Sequence, residues 1–323
     1  MKRAFLRCLL ISLVATCAAQ VHPKTGPRSG KMAPSCVRVQ DGAFHSATLD
    51  REMKYRVLLP CVYKTGSGRF PVLYLLHGLY GDYLNWDTRT NLEGYVQRYE
   101  LIVAMPDAGD SWYTNSATDP KDKFEDYIAK DLVAEIDGKF RTLRSRHSRG
   151  IAGLSMGGYG ALKIALRYHD DFAFAGSLSG ALNAPQDLGE KQPAFRAQLL
   201  KVFGPPGSAV RAENNAFSML QSAGPKDLPY FYLACGNADD FLPVNRDFAA
   251  QLSSRGAPYE YHETVGEHAW DYWDRSVQDL LRAAASVISG QVNETCTLWN
   301  AASRKARDPR LRRSGSRPFG EGA

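Results

Sequence analysis

The sequence predicts an α/β fold: a mostly parallel sheet with helices on both faces and an antiparallel hairpin at one edge. Three observations predict it. Short apolar runs ended by turn residues alternate with amphipathic segments of helical period. Most of those runs are nearly continuous in apolar residues, as strands buried on both faces require. The first two strand-like segments are joined only by SATLD and read as a hairpin.

The hairpin segments are CVRVQDGAF and REMKYRVLLP. A turn centred between Thr48 and Leu49 sets Cys36 opposite Cys61, a geometry that permits a disulfide; two buried free thiols are the alternative. PVLYLLHG (71–78) and LIVAMPD (101–107) are strands, and EDYIAKDLVAEIDGKF (125–140) places Ile128, Leu132, Ile136 and Phe140 at four-residue steps, as in an amphipathic helix. RGIAGLS then supplies a strand and ALKIALRYH a helix. FAFAGSLSG (172–180) and YFYLACG (230–236) are further strands, with Cys235 a small core residue. PVNRDFAAQLSSRG (243–256) starts on proline and ends on glycine, as a helix does. YEYHETV (259–265) alternates like a half-exposed strand, and WDYWDRSVQDLLRAAASVI (270–288) closes the domain as a helix. Between 181 and 228 the pattern weakens around Pro185, Pro193, Pro205, Pro206 and Pro225. That region is expected to insert over the C-terminal edge of the sheet, where such folds bind ligands. There is no internal repeat, so 36–290 is expected to be one domain.

The ends differ from the body. MKR followed by AFLRCLLISLVATCAA has the basic start, apolar middle and small-residue end of a secretory signal peptide, 1–19. Cleavage near Ala19 is expected; a lipoprotein cut before Cys17 is the alternative, although Thr16 suits that junction poorly. A Pro/Gly/Ser/Lys-rich leader, 20–35, follows. The formal charge of +6 is concentrated at the termini: 301–323 carry seven basic residues against two acidic ones, and Lys2, Arg3 and Arg7 precede the apolar stretch. The body is therefore close to neutral, and the tail 291–323 is expected to be a solvated, disordered end. No nucleic-acid partner is expected, and no later stretch is long and apolar enough to span a bilayer. The reading is an exported protein, periplasmic or secreted.

GLSMG, 153–157, fits G-x-S-x-G between a strand and a helix. The glycines have a physical reason: the elbow strains the serine backbone and brings neighbouring chains too close for side chains. No Gly-Lys-Ser/Thr follows, which disfavours a P-loop. A serine hydroxyl needs a base, and the base an orienting carboxylate, in the chain order Ser, acid, His. After the next-to-last strand stand Asp239 and Asp240; after the last stands His268. The other histidines sort elsewhere. His22 lies in the leader, His45 near the first turn, His147 and His169 among charges or at a helix end, and His262 on the alternating strand. His77, before Gly78 at the end of a buried strand, reads as a structural hydrogen-bonding residue. No His/Cys group has metal-ligand spacing.

LLHGLYGDYLNW, MPDAGDSWYTNS, GLSMGGYGAL, CGNADDFLPVNR and GEHAWDYWDR, in this order, resemble the esterase D family of α/β-hydrolases. That family includes S-formylglutathione hydrolases, acetyl and feruloyl esterases and mycolyltransferases. The resemblance implies an α/β-hydrolase fold and hydrolysis of ester or thioester bonds without a cofactor. It implies Ser155 as nucleophile, His268 as base and Asp239 as acid, with Asp240 the fallback. It also implies an oxyanion hole from the backbone N–H groups of Leu79, in HGLYG, and of Met156, after the serine. Trp86, Trp112, Tyr113 and Trp270 stand in or beside these motifs and either line an acyl or aryl pocket or pack the loops onto the sheet. The expected activity is hydrolysis of small acyl or aryl esters, of acetyl or feruloyl type, with a small-molecule or carbohydrate ester as substrate. The alternatives are an S-formylglutathione hydrolase, an acyltransferase of the mycolyltransferase type and a non-catalytic binding module.

Overall fold

Among the described residues, eight strands build one sheet whose parallel members all end at the same edge. The computed structural model describes residues 35–187 and 193–289. The strands are β1 (Arg38–Ser46), β2 (Arg51–Leu59), β3 (Val72–Leu76), β4 (Ile102–Pro106), β5 (Arg149–Leu154), β6 (Phe174–Leu178), β7 (Tyr230–Gly236) and β8 (Tyr259–Thr264). Their order is β1-β2-β4-β3-β5-β6-β7-β8. β1 and β2 pair antiparallel, β2 runs antiparallel to β4, and every other pair is parallel. The hairpin pairs Arg38 with Leu59 through Ser46 with Arg51. Two residues further in that register are Cys36 and Cys61, joined by a disulfide with Cα atoms 5.0 Å apart.

The helices are α1 (Asn85–Arg89), α2 (Leu92–Val96), α3 (Phe124–Asp126), α4 (Val133–Lys139), α5 (Met156–Arg167), α6 (Pro193–Phe203), α7 (Ala209–Glu213), α8 (Ala216–Ser222), α9 (Leu242–Ser254) and α10 (Trp270–Ile288). Successive strand residues point to opposite faces, so each continuous apolar run feeds two cores. Val72, Tyr74 and Leu76 of β3 join one core with α5, α8 and α9; Leu73 and Leu75 join the other with α2 and α10. β4 divides the same way, with Ile102 and Ala104 against Val103 and Met105. The sheet is thus covered on both sides, in the α/β-hydrolase arrangement.

Two expectations change in detail. The helix read over 125–140 is interrupted: Tyr127–Leu132 form a π-helical stretch between α3 and α4. Ile128, Leu132, Ile136 and Phe140 are buried, but Phe140 lies just past the end of α4. The described residues of 181–228 carry three helices despite its prolines, α6, α7 and α8. Its prolines punctuate helices: Pro193 opens α6, Pro205 and Pro206 separate α6 from α7, and Pro225 follows α8. Proline suits a first helical position, where its missing N–H would have no partner. The expected signal segment 1–19, nearly all of the leader and the tail 291–323 lie outside the described residues. Among the described residues no helix is long and apolar enough to cross a membrane.

Candidate active site

Ser155 stands between the last residue of β5 and the first of α5, with φ 53° and ψ −117°. A non-glycine residue held there costs on the order of 1–3 kcal/mol and persists only when its surroundings fix it. They do so here. The Ser155 N–H donates to the Leu178 carbonyl at 2.9 Å, and its own carbonyl accepts from Tyr159 N–H at 3.0 Å and Ala181 N–H at 3.1 Å. The glycines flanking the turn answer to close approach: a Cβ on Gly153 would lie 2.5 Å from the Gly157 backbone, and one on Gly157 2.5 Å from the His77 carbonyl oxygen.

His268 arrives from the loop between β8 and α10. Its Nε2 lies 3.0 Å from Ser155 Oγ and its Nδ1 2.9 Å from Asp239 Oδ2. The carboxylate can only accept, so Nδ1 carries the proton and Nε2 is left to accept from the serine hydroxyl. The imidazole is clamped between the Phe241 ring, at 5.1 Å, and the edge-on Trp273 ring, at 4.9 Å. The Asp239 side chain is 0% exposed and that of His268 32%. Burial pushes the Asp239 carboxyl up, but hydrogen bonds from His268, the Phe241 N–H and Ser179 outweigh it and hold the group below its ordinary 3.8. Asp240, its neighbour, is exposed.

The β3 loop runs against the serine, since a Cβ on Gly78 would lie 3.5 Å from Ser155 Cβ. His77 Nε2 accepts the Ala108 N–H at 3.1 Å, so Nδ1 is the donor to the Gly78 carbonyl at 2.8 Å. A trans peptide aims its N–H opposite to its carbonyl, so the Leu79 N–H points away from the His77 ring. Tyr113 pins the same segment by donating to the His77 carbonyl at 2.9 Å. The Met156 N–H heads α5, where no intrahelical acceptor exists, at the positive end of the helix dipole. Among the described residues no group of three His, Cys, Asp or Glu side chains is placed to hold a metal ion.

Residues 46–284 match the Esterase family model, described as "Putative esterase". The chain belongs to this esterase family. It is 28% identical over 231 residues to an acetyl esterase of Caldicellulosiruptor saccharolyticus, covering 68% of this chain and 85% of that one. It is 31% identical over 253 residues to esterase Rv1288 of Mycobacterium tuberculosis, covering 70% of this chain but only 55% of that longer relative. Among solved structures, the fluorophosphonate-binding serine hydrolase FphF of Staphylococcus aureus superposes with a TM-score of 0.70 at 29% identity, covering 77% of this chain and 98% of that one. The protein is a serine hydrolase acting on ester bonds.

Three of the four aromatic residues considered for a pocket do not line one in this esterase. Trp86 is 1% exposed, donates to the Leu76 carbonyl at 2.9 Å and meets Trp270 edge-on. Trp112 is buried among Tyr159, Phe195 and Phe203, and Tyr113 is fully buried under α5. Both take positive φ, 55° and 50°. They pack loops onto the sheet. Trp270 alone of the four keeps partial exposure.

Two features of the esterase escaped the sequence reading. Ser179, at φ 51° beyond β6, is fully buried and accepts from Trp273 Nε1 at 3.2 Å, so it holds a wall of the His268 site and helps keep the Asp239 carboxyl low. On α5, fully buried Lys163 pairs with Glu125 and donates to Thr114 Oγ1 at 3.1 Å and Asn214 Oδ1 at 3.0 Å. Glu125 also takes Arg167 Nε at 2.5 Å. Burial lowers the Lys163 ammonium to about 8 against the opposing pull of Glu125. A helix-period reading registers Lys163 only as a polar position; its partners come from segments far away in the chain.

Proposed function

We propose that the protein is a carboxylesterase of small acyl or aryl esters, of acetyl and feruloyl type, working through an acyl-enzyme on Ser155. The observation that carries this is the chain of contacts from Ser155 Oγ to His268 Nε2, 3.0 Å, and from His268 Nδ1 to the buried Asp239 carboxylate, 2.9 Å. His268 takes the hydroxyl proton as Ser155 Oγ bonds to the ester carbonyl carbon. The carbonyl oxygen becomes an oxyanion facing the Leu79 and Met156 N–H groups, each worth about 3 kcal/mol in such a role. Asp239 stabilises the imidazolium. The tetrahedral adduct collapses, the C–O bond to the alcohol breaks, and His268 returns the proton to the leaving oxygen. Water then attacks the acyl carbon, giving its proton to His268; a second collapse releases the acid and restores the serine hydroxyl.

The same reading includes export. The basic-then-apolar segment 1–19 supports it, as does the Cys36–Cys61 disulfide, a bond that persists in oxidising compartments. The esterase domain spans 36–290 and the basic tail follows it. Ser155→Ala, with folding verified by circular dichroism, is expected to lower kcat on p-nitrophenyl acetate by about 10⁴-fold or more. A loss of less than tenfold would overturn the proposal. A product analysis with added sugar acceptors separates hydrolysis from acyl transfer.

A further inference from the structure

The two edges of the parallel strands carry opposite charge. At the edge that holds Ser155, the segments 77–84, 107–123, 179–187, 237–241 and 265–269 contain nine Asp or Glu residues against two Lys. At the opposite edge, where the chain enters β3 and β5, the segments 60–71 and 140–149 contain six Lys or Arg residues and no Asp or Glu. The other entry segments there, 97–101, 168–173, 223–229 and 255–258, add three cations and four carboxylates. A body close to neutral is therefore polarised from edge to edge. The C-terminal tail joins it at the cationic edge. Helix α10 starts beside His268, runs back along the sheet for 19 residues, about 28 Å, and packs against the Arg146–Ser148 turn that leads into β5. Further along the chain, 301–323 carry seven basic residues against two acidic ones.

The cations of this edge keep their charge. Arg69 donates to the Thr142 carbonyl at 3.1 Å and Arg146 to the His169 carbonyl at 2.6 Å. Arg141 donates to the Gly66 and Tyr63 carbonyls, and Arg144 to the Asp137 carbonyl. A neutral carbonyl fixes a guanidinium without cancelling it; Arg149, by contrast, is buried against the Asp137 carboxylate at 2.8 Å. The two segments form one surface, since the Phe70 N–H donates to the Arg141 carbonyl at 2.8 Å and the Leu143 N–H to the Phe70 carbonyl at 3.0 Å. Lys64, Arg69 and Arg144 are exposed on it. Val62 and Leu143 stand among them, 39% and 43% exposed, two of the four large apolar side chains exposed among the described residues. An anionic bilayer takes up both kinds of group: headgroups attract the cations and the acyl boundary buries the apolar tips. A soluble polyanion would use the cations alone. The acidic edge stands about three Debye lengths away at physiological salt, so its repulsion is screened.

We propose that this edge docks on a bilayer of anionic lipid, the tail adding its charge, with the Ser155 edge facing away from the lipid. The exported chain, 20–323, contains every described residue and is the form to test. It is sedimented with vesicles of equal phosphatidylglycerol and phosphatidylcholine in 0.1 M NaCl. Co-sedimentation is expected, at least about tenfold stronger than with phosphatidylcholine alone; no binding, or equal binding to both, overturns the proposal. One cation at such a surface is worth about fivefold in binding. Arg69→Glu combined with Arg144→Glu is therefore expected to weaken binding about twentyfold or more. Unmoved binding would leave the tail as the sole contact and overturn the docking face. Leu143→Ser is expected to weaken vesicle binding about fivefold and to leave retention on heparin unchanged. An unmoved vesicle affinity in that variant assigns the face to a soluble polyanion and overturns the bilayer. Val265, 79% exposed, lies on the Ser155 edge, and Val265→Ser is expected to change nothing. A loss equal to that of Leu143→Ser would overturn the orientation. Near-ultraviolet circular dichroism verifies the fold of each variant.

Discussion

Replacing Asp239 by Asn keeps the size of the side chain and removes its charge. Two separate effects follow. First, the imidazolium formed during acyl transfer loses its counter-charge. For a pair of centres about 4 Å apart at an effective dielectric of about 20, that is worth about 4 kcal/mol, or about a thousandfold in rate. Second, Asp239 Oδ1 accepts the Phe241 N–H at 2.9 Å. An asparagine oxygen is claimed by the same donor, which turns its NH₂ toward His268 Nδ1. That nitrogen must then accept, which drives the ring proton to Nε2, where the serine hydroxyl needs an acceptor. Together these put the loss in kcat between about 10³- and 10⁴-fold. The assay is p-nitrophenyl acetate hydrolysis near pH 7.5, with near-ultraviolet circular dichroism as the folding control. Asp240→Asn is the paired comparison, because that side chain lies at an exposed position; it is expected to stay within about threefold of wild type. A large loss for Asp240→Asn, or a loss under tenfold for Asp239→Asn, would rule out Asp239 as the carboxylate that serves His268.

Three further expectations concern the frame. Lys163→Met leaves the buried Glu125 with Arg167 as its remaining cation, and is expected to cost about 3 kcal/mol in urea unfolding; a cost below about 1 kcal/mol would show that the network is not needed for stability. The Cys36–Cys61 bond spans a sequence separation of 25, so Cys36→Ala should lower stability by about 3 kcal/mol, read as the shift of a denaturation midpoint against wild type under non-reducing conditions. Burial holds His77 below its ordinary 6.5. The unfolded chain then takes up a proton near that pH which the folded chain refuses, so this contribution is complete above about pH 6.5 and declines as pH falls toward the folded value. The melting temperature is expected to drop between about pH 7 and 5.5, and the drop should shrink in His77→Gln; equal slopes in both proteins would contradict it.

How much could be read from the chain depended on whether a signal was local. The hairpin register followed from counting about Thr48 and Leu49, and the disulfide forms at the pair that register sets opposite one another. The apolar runs gave the buried strands because each residue of β3, and Ile102 through Met105 of β4, faces one of two cores. GLSMG marked its turn because only glycine tolerates backbone contacts of 2.5 Å on both sides of the serine. Chain order brought His268 and one of two adjacent carboxylates to the same edge, and the resemblance favoured Asp239, the one bonded to the imidazole. Non-local features stayed hidden. Trp112 and Tyr113 looked available because they stand in a loop, yet their inward turn depends on two successive left-handed residues. The partners of Lys163 and the turn at Ser179 come from contacts between distant segments. In 181–228, prolines at helix boundaries obscured three helices whose apolar faces depend on packing over the sheet.

In the proposed reaction one serine hydroxyl, made nucleophilic by His268, attacks the ester. Treating the full chain with a fluorophosphonate and mapping the adduct by peptide mass spectrometry puts this attack to the test. A single stoichiometric adduct is expected on Ser155, absent in Ser155→Ala and formed at least about a hundredfold more slowly in His268→Ala. An adduct on another residue, or labelling of Ser155 at an undiminished rate without the imidazole, would contradict it.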